Sequence, residues 1–323
     1  MRNRQWASIP ELEAQPPQRN QSHSRALFQC AHLILPLLHP SDLAAASSTC
    51  KTLHHVAASI TADRTSDASG GLEKLPIPFV NAVDDQPYAF FVYAPTQILG
   101  SDPRQNRPVS DPFPAWGCEC ERCDGDIGCP CEGLDSFEVT RECGASCRCG
   151  VQCGNRVTQG GVSVRLKIVK DERKGWGLRA GERIQHGQFV CEYAGELLTT
   201  NEARRRQQIY DQLTSGGRFC SALLVVREHL PSGKACMRIN IDATRIGNVS
   251  RFINHSCDGG NLSTVLVRNS GALLPRLCFF ASRDIKEDEE ITFSYGEIRL
   301  KSKGLQCFCG SSSCSGVLPS ENT

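Results

Sequence analysis

Nine cysteines lie within 36 residues of this 323-residue chain, and no other feature restricts its fold so strongly. The first residues lack the charged start, apolar middle and small-residue cleavage site of a secretion signal. We therefore expect a reducing compartment, where clustered cysteines bind metal more often than they form disulfides. The cluster consists of Cys118, Cys120, Cys123, Cys129, Cys131, Cys143, Cys147, Cys149 and Cys153.

The number of cysteines in this cluster indicates shared ligands. A structural zinc ion takes four thiolates in a tetrahedron, so three ions need about twelve ligand positions. Nine thiolates supply them if three thiolates each bridge two ions. A disulfide knot and two separate four-cysteine sites with a spare thiol are the alternatives. In either zinc arrangement the metal is structural, because full thiolate coordination leaves no open position for catalysis.

Composition excludes few other functions. Hydrophobic residues make up 40% of the chain, enough for a core, while the net charge of +1 gives no strong field toward nucleic acid or membrane. The most apolar early run, residues 32–39, is short and is broken by Pro36, so it is far below a membrane span. We therefore predict no membrane association.

The N-terminal third contains a predicted disordered tail followed by a helical segment. Residues 1–25 are polar and suit disorder, whereas residues 26–60 have the composition of helices. A proline break inside the helical segment leaves Ser41 or Asp42 as the predicted cap of the next helix. Residues 61–117 are predicted to form a linker and the lead-in to the cysteine cluster.

The C-terminal half is predicted to form short strands in small sheets rather than a βαβ array. Residues 161–298 begin with alternating apolar side chains, and turn signals separate the later strand candidates. One helix interrupts them over 200–214, where Thr199 and Glu202 have the spacing of a capping box. The strand candidates are 188–194, 237–242, 263–268, 276–281 and 290–295.

Four short blocks in this half concentrate polar, aromatic and glycine residues. They are Lys174–Leu178, Glu192–Glu196, Gly247–Cys257 and Ile291–Gly296. Glycines in the first block would let the backbone approach a ligand, and buried polar groups in the third would need partners. Each block alone is also consistent with an ordinary turn or strand. A final trio, Cys307, Cys309 and Cys314, is one ligand short of a tetrahedron, and Cys257 is the predicted fourth.

The order of these features resembles that of the SET-domain methyltransferases, in particular the suppressor-of-variegation group with its plant SUVR type. The resemblance covers residues from about 118 to 316, and the block Arg251-Phe252-Ile253-Asn254-His255-Ser256-Cys257 carries it most specifically. It implies a mainly β fold, the SET-domain β-clip of small sheets with a pseudoknot, in which this block threads beneath a loop. The implied domains are a pre-SET zinc cluster at 118–156, a SET domain at 161–298 and a post-SET zinc segment at 303–319.

The resemblance also implies roles for individual residues. Tyr295 matches the catalytic tyrosine, Tyr193 matches a second active-site tyrosine, and Phe293 matches a position that controls how many methyl groups are added. Contacts to S-adenosylmethionine are implied for Lys174, Gly175, Trp176, Gly177, Arg251, Phe252, Asn254, His255 and Tyr295. Three structural zinc ions are implied in the pre-SET cluster, and a fourth is implied at Cys257, Cys307, Cys309 and Cys314.

The activity implied by the resemblance is methyl transfer from S-adenosylmethionine to a lysine of the histone H3 tail in nuclear chromatin. Lysine nine is the usual site in the family. A phenylalanine at position 293 leaves space that a tyrosine hydroxyl would fill, so we predict that two or three methyl groups can be added. The alternatives are a methyltransferase of a non-histone protein and a catalytically silent, zinc-stabilised scaffold.

Two further segments admit both a functional and a structural interpretation. Residues 26–57 loosely resemble an F-box, a module that docks a ubiquitin-ligase adaptor, but a small helical pair that packs on the chain or on a partner is the alternative. The acidic run at 287–290 would suit a basic histone tail, but it is also typical of a solvated turn before a strand.

Overall fold

The computed structural model describes residues 29–100, 117–123, 129–131, 139–214, 219–229, 235–296 and 305–319. The chain divides into two units, one ending at Ala62 and one beginning at Asp63. The tail predicted at 1–25 lies outside the described residues. None of the helices within the described ranges combines the length and the apolar character that crossing a bilayer requires.

The first unit is helical, as predicted. Residues 29–34 are helical and lead into a 3₁₀ turn at Leu35–Leu37. Helix α1 spans Pro40–Ser47 and helix α2 spans Lys51–Ser66. Their apolar side chains enclose a small core that includes Leu43 and Val56.

The cap of helix α1 differs from the prediction. The helix begins at Pro40. Proline suits this position because the first N–H groups of a helix have no partner within the helix, so its missing N–H costs nothing. His39 is therefore the residue before the first turn, and its Nδ1 accepts a hydrogen bond from Ser41 N at 3.4 Å. Ser41 and Asp42, the predicted caps, lie inside the first turn instead.

The described part of the segment predicted as a linker, residues 61–100, contains regular structure. Helix α2 continues to Ser66, and the Asp67 carboxylate then accepts hydrogen bonds from the backbone N–H groups of Ser69, Gly71 and Ile77 at 2.7–3.0 Å. Three two-residue strands follow, and each pairs in parallel with a strand of the C-terminal half. They are β1 (Phe79–Val80), β2 (Val92–Tyr93) and β3 (Ile98–Leu99).

The rest of the second unit is built from short strands in small mixed sheets, as predicted. The strands are β4 (Val139–Glu142), β5 (Leu166–Asp171), β6 (Gly175–Ala180), β7 (Phe189–Glu192), β8 (Gly195–Leu198), β9 (Leu223–His229), β10 (Cys236–Gly247), β11 (Asn254–His255), β12 (Leu262–Asn269), β13 (Arg276–Ala281) and β14 (Thr292–Phe293). All five strand candidates coincide with observed strands, whereas β4, β6, β8, β9 and β11 were not predicted.

Four sheets organise these strands. One has the order β1-β5-β6, a second has the order β4-β12-β13-β7, and a third has the order β2-β10-β8-β3 with β9 also paired to β10. The fourth sheet is a parallel pair of β11 and β14. The pairing places β11, part of the segment that the resemblance implies to be threaded, beside β14. One core joins side chains from the three larger sheets, and Ile168, Leu178 and Phe279 are fully buried in it.

Helix α3 spans Thr200–Thr214, close to the predicted bounds. The Thr199 hydroxyl accepts a hydrogen bond from Glu202 N at 3.3 Å, which is half of the predicted capping box. The Glu202 carboxylate instead binds Arg205 and Arg206. Arg206 also binds Glu196 on β8, so an ion pair anchors the helix to the sheet.

Candidate active site and metal centres

The parallel pairing of β11 with β14 positions the predicted catalytic tyrosine. His255 lies opposite Phe293 in this pair, and Tyr295 follows two residues later. Tyr295 N donates a hydrogen bond to His255 Nδ1 at 3.1 Å, and the Tyr295 hydroxyl donates to the Ile253 carbonyl at 2.7 Å. Both ends of this tyrosine are therefore fixed by the block that carries the family resemblance.

Aromatic side chains connect the two predicted active-site tyrosines. Ring centroids are 5.0 Å apart for Phe293 and Tyr295, 4.8 Å for Phe279 and Phe293, and 6.2 Å for Tyr193 and Phe279. The Tyr193 hydroxyl donates to the Ala222 carbonyl at 2.8 Å. Tyr193, Phe293 and Tyr295 thus form one assembly with Phe279 between them. The sequence predicted the strand that carries Phe279 but not its place in the site.

Both tyrosine hydroxyls are held in their neutral form. Burial raises the pKa of Tyr193 above its usual range, and the neighbouring Tyr295 raises it further. Burial likewise raises the pKa of Tyr295, with a smaller effect from Cys220. Because each hydroxyl proton is already donated to a carbonyl oxygen, the oxygen lone pairs remain as acceptors. The site can therefore accept hydrogen bonds from an amine without gaining a charge.

The turn between β5 and β6 meets β11 through a shared carboxylate. Lys174 Nζ lies 2.6 Å from Glu290 Oε2, and Asn254 Nδ2 donates to Glu290 Oε1 at 3.0 Å. A Cβ atom at Gly177 would lie only 2.9 Å from Asn254 Nδ2, which explains why glycine occupies this position. Gly175 has φ +75°, a conformation that favours glycine. Two predicted cofactor residues, Lys174 and Asn254, therefore converge on Glu290. The sequence placed Glu290 in an acidic run and in a strand candidate, but not in this site.

Two buried nitrogen atoms beside this turn have no partner among the described residues. They are Trp176 Nε1 and Arg251 Nη1. The Arg251 guanidinium lies over the rings of Phe91 at 4.8 Å and Phe252 at 5.2 Å, and its Nη2 donates to the Thr244 carbonyl. Buried donors normally find acceptors, so these atoms fit a ligand with carboxylate or ring-nitrogen acceptors. The ring of Phe252, a predicted cofactor residue, is itself packed in the core.

The nine clustered cysteines are arranged as metal ligands. Within the described residues every cysteine is a free thiol, and Cys118 Sγ lies 3.6 Å from Cys123 Sγ, well beyond the ~2.05 Å of a disulfide. The structure therefore contradicts a disulfide knot. Four overlapping groups of four sulfur atoms, each within 4.8 Å, include all nine cysteines. Cys118 and Cys143 each belong to three groups, as thiolates that bridge metal ions would.

Hydrogen-bond donors surround these thiols. The Ser270 hydroxyl donates to Cys131 Sγ at 3.0 Å, and Arg156 Nη2 donates to the Cys149 carbonyl at 3.0 Å and to Cys149 Sγ at 3.7 Å. Such donors offset the negative charge of metal-bound thiolates and orient them. The donor set and its surroundings therefore fit structural zinc.

A second thiol group adjoins the predicted cofactor residues. Cys257, Cys307, Cys309 and Cys314 form the predicted set of four, with sulfur atoms within 4.8 Å of one another. Cys257 Sγ lies 3.3 Å from His255 Nε2, and the Arg173 guanidinium lies 4.4 Å from the Phe308 ring centre. The C-terminal segment is therefore joined both to β11 and to the turn between β5 and β6.

Comparisons with known proteins agree with this arrangement. The SET domain family matches residues 175–296, and the Pre-SET motif matches residues 69–156, which begins well before the predicted cysteine region. Histone-lysine N-methyltransferase SUVR3 of Arabidopsis thaliana is 55% identical and covers 92% of this chain and 92% of its own length.

Two solved structures share the fold. The methyltransferase domain of human histone-lysine N-methyltransferase SETMAR has a TM-score of 0.62 and 32% identity, covering 79% of this chain and 97% of its own. KRYPTONITE, solved in complex with mCHH DNA, an H3(1-15) peptide and SAH, has a TM-score of 0.61 and 29% identity, covering 78% of this chain and 53% of its own. Sequence, fold and site geometry agree, and this chain belongs to the SET-domain histone-lysine methyltransferases of the plant SUVR type.

Proposed function

We propose that this chain transfers methyl groups from S-adenosylmethionine to lysine nine of the histone H3 tail. The observation that carries the proposal is the pair of buried tyrosine hydroxyls, Tyr193 and Tyr295, each fixed by a carbonyl and each free to accept. The H3 peptide and the SAH in the KRYPTONITE structure support the substrate and the cofactor. A histone substrate in turn supports a place in nuclear chromatin.

The residues of the chain supply orientation rather than acid or base strength. S-adenosylmethionine, when bound, supplies a methyl group already activated by a sulfonium. A lysine amine has a pKa of about 10.4, so it must lose a proton, and burial beside a positive charge favours that loss. The oxygen atoms of Tyr193 and Tyr295 then accept the remaining amine hydrogens and direct the lone pair. Such alignment can lower a barrier by several kcal/mol.

The proposed cofactor site uses residues from three parts of the chain. The unpartnered Trp176 Nε1 and Arg251 Nη1 would meet polar atoms of the cofactor, and the glycines of the turn between β5 and β6 would let it approach the backbone. The Arg251 guanidinium suits a carboxylate because its planar fork presents parallel donors. The proposed contact residues are Lys174, Gly175, Trp176, Gly177, Arg251, Phe252, Asn254, His255 and Tyr295.

The proposed metal content is three zinc ions in the pre-SET cluster and one at the post-SET site. The overlapping sulfur groups support the shared ligands of the cluster, and the single set of four around Cys257 supports one ion there. These ions would stabilise the fold, and no chemical step requires them.

Phe293 supports a product with more than one added methyl group. Its ring is 3% exposed and lies between Phe279 and Tyr295 without a hydroxyl. The phenylalanine side chain has no polar group that would hold a water molecule in the space that added methyl groups need. We therefore propose that dimethyl- and trimethyl-lysine can form.

The role of the N-terminal unit stays a prediction. Helices α1 and α2 enclose their own core, while Leu33 and Leu37 are 74% and 79% exposed. The predicted docking of a ubiquitin-ligase adaptor by residues 26–57 would use such exposed apolar side chains.

The proposal is tested by methyl transfer to histone peptides. Wild-type protein, S-adenosylmethionine and an H3 peptide are combined, and mass spectrometry reads the site and the number of methyl groups. We expect modification of the peptide at lysine nine and none when that lysine is replaced by arginine. Modification only of other histone peptides would contradict the proposed site. Well-folded, zinc-loaded protein that does not bind S-adenosylmethionine would instead support the silent scaffold.

A further inference from the structure

We propose that Arg276 is a positioning residue for the active site, because it joins the strand that leads into the zinc cluster to the strand that leads into Tyr193. This inference rests on the proposed function, which places Tyr193 in the site. Arg276 lies on β13 and is 8% exposed. It touches none of the proposed cofactor residues through a described hydrogen bond.

The guanidinium of Arg276 binds two buried carboxylates at once. Its Nη1 lies 3.1 Å from Glu192 Oε2, and its Nη2 lies 3.2 Å from Glu142 Oε2. Nη2 also donates to Thr158 Oγ1 at 2.6 Å and to Asn269 Oδ1 at 2.8 Å. A planar guanidinium reaches acceptors in several directions through its two terminal nitrogens, whereas a lysine ammonium is a single compact charge.

The Glu142 side of this network is attached to the pre-SET thiols. Glu142 ends β4 and immediately precedes Cys143. Gln159 Nε2 donates both to Glu142 Oε2 at 2.9 Å and to the Cys143 carbonyl at 2.7 Å. The Glu142 carbonyl accepts from Ser270 N at 2.8 Å, and the Ser270 hydroxyl reaches Cys131 Sγ. A displacement of the cysteine cluster would therefore also displace Glu142.

The Glu192 side of the network is attached to the tyrosine. Glu192 ends β7 and immediately precedes Tyr193. The Glu192 carboxylate also accepts from Thr96 Oγ1 and Gln97 N, each at 2.9 Å. Tyr193 N donates to the carbonyl of Leu277, the residue after Arg276, at 2.7 Å. The backbone of Tyr193 is therefore held by Arg276 through Glu192 and through its own neighbour on β13.

The charge balance makes Arg276 difficult to replace. Glu142 is 3% exposed and Glu192 is 5% exposed, so two buried carboxylates depend on one guanidinium. Breaking such a group leaves charge without compensation in a poorly solvated site. A cavity of about 290 Å³ lies against Glu192, Thr158 and Arg276, so these groups have room to shift when a contact is lost. The shift would be passed to Tyr193.

The test compares Arg276→Lys with wild type and with Arg268→Lys. Lysine keeps the positive charge, so the fold should persist, but it lacks the planar set of donors that the guanidinium provides. Arg268 is the matched control because it lies on the adjacent strand β12 and binds the buried carboxylate of Glu228 through two contacts at 2.7 Å. Each protein is assayed for zinc content, for the Kd of S-adenosylmethionine, and for kcat and methyl-product ratio with the H3 peptide.

We expect Arg276→Lys to keep its zinc and its cofactor affinity within about twofold while kcat falls at least about tenfold, the cost of a small misalignment of reacting groups. The ratio of methyl products should also shift, which a purely structural role would not produce. Arg268→Lys should keep wild-type values. Unchanged kcat in Arg276→Lys would overturn the inference. So would a loss of kcat that is fully explained by loss of zinc.

A second measurement does not depend on activity. The chain has five tyrosines, so fluorotyrosine labelling gives a simple ¹⁹F NMR spectrum in which Tyr193→Phe identifies one resonance. We expect Arg276→Lys, but not Arg268→Lys, to shift or broaden that resonance. An unmoved resonance would overturn the inference. An inactive wild-type enzyme would contradict the proposed function, while the NMR result would still decide the role of Arg276.

Discussion

Asn254 donates its side-chain amide to Glu290 across 3.0 Å, and the same carboxylate holds Lys174 at 2.6 Å. The contact joins β11 to the end of the acidic run, so a substitution of Glu290 tests the proposed cofactor site. Glu289, the neighbouring residue, binds Asn261 at 3.0 Å and also binds Arg283. The two adjacent glutamates therefore have similar partners but face different parts of the molecule.

We expect Glu290→Gln to weaken binding of S-adenosylmethionine about tenfold. The substitution weakens a charge-assisted contact that orients Asn254 and Lys174. A loss of about 1.5 kcal/mol, the lower end for such contacts, is about tenfold in affinity. Isothermal titration calorimetry measures the change. Glu289→Gln is the control and should stay within about twofold of wild type. Equal effects of the two substitutions would show that Glu290 has no particular relation to the cofactor.

Removal of the Tyr295 hydroxyl should affect the reaction more than cofactor binding. Tyr295→Phe deletes the acceptor that is fixed by the Ile253 carbonyl, and we expect kcat to fall by about 10²–10³ because orientation is lost. The Kd of S-adenosylmethionine should change by less than about threefold.

Tyr210→Phe provides the matched control for this prediction. Tyr210 is also buried, and its hydroxyl donates to Asp242 Oδ2 at 2.8 Å in the packing of helix α3. Its loss should reduce stability by about 1 kcal/mol without lowering kcat. A kcat for Tyr295→Phe equal to that of Tyr210→Phe would rule out the assigned role.

Phe293→Tyr should shift the product toward monomethyl-lysine. The new hydroxyl would extend from a ring that packs against both Phe279 and Tyr295, where we expect it to hold a water molecule and exclude further methyl groups. Mass spectrometry of the peptide measures the distribution of products. Phe280→Tyr, on the same strand as Phe279 but packed against Phe189, is the control. An unchanged distribution in Phe293→Tyr would refute the prediction.

The buried tyrosines predict how stability changes at alkaline pH. Folding raises the pKa of Tyr193 and Tyr295 through burial, so the unfolded chain releases their protons first, near pH 10. The contribution of these two tyrosines to the free energy of unfolding is therefore complete below about pH 10. Above that pH it is lost by about 1.4 kcal/mol per pH unit for each group. Denaturant unfolding between about pH 9 and pH 11 should show a smaller slope in Tyr193→Phe. An equal slope would mean that this tyrosine ionises normally.

Metal removal should affect the two thiol groups differently. We expect about four zinc ions per chain, and Cys309→Ser should remove about one while the fold persists. Cys143→Ser, in the centre of the cluster, should remove several and unfold the pre-SET region. Elemental analysis and thermal melting measure these effects, with the exposed Cys236→Ser as control. A zinc content of three or fewer in wild-type protein would contradict shared ligands, because two separate four-cysteine sites and the post-SET site together hold about three ions.

Local signals account for the parts of the fold that the sequence predicted. Helix α3 has a threonine cap at Thr199, and the long strands alternate or are flanked by turn residues, so their signals lie within each segment. The cysteine groups were also predictable, because metal-ligand spacing is a property of short stretches of chain. The cap of α1 at His39 was missed because the helix begins at Pro40, two or three residues earlier than a cap at Ser41 or Asp42 implies.

Contacts between distant residues account for what the sequence did not predict. Strands β1, β2 and β3 have two residues each, too few for a pattern, and they exist because a longer strand pairs with each. The roles of Phe279, Glu290 and Arg276 likewise arise from neighbours between 14 and 134 residues away in the chain. Such relationships appear only when the sheets are assembled.

The three short strands before the cysteines have a practical consequence for work on this enzyme. They cover the outer edges of β5, β8 and β10, so a fragment starting at Cys118 would expose backbone N–H and C=O groups on two sheets. Exposed edges of this kind recruit other chains. The smallest fragment that remains soluble is therefore expected to start before Phe79, far upstream of the clustered cysteines that mark the region in the sequence.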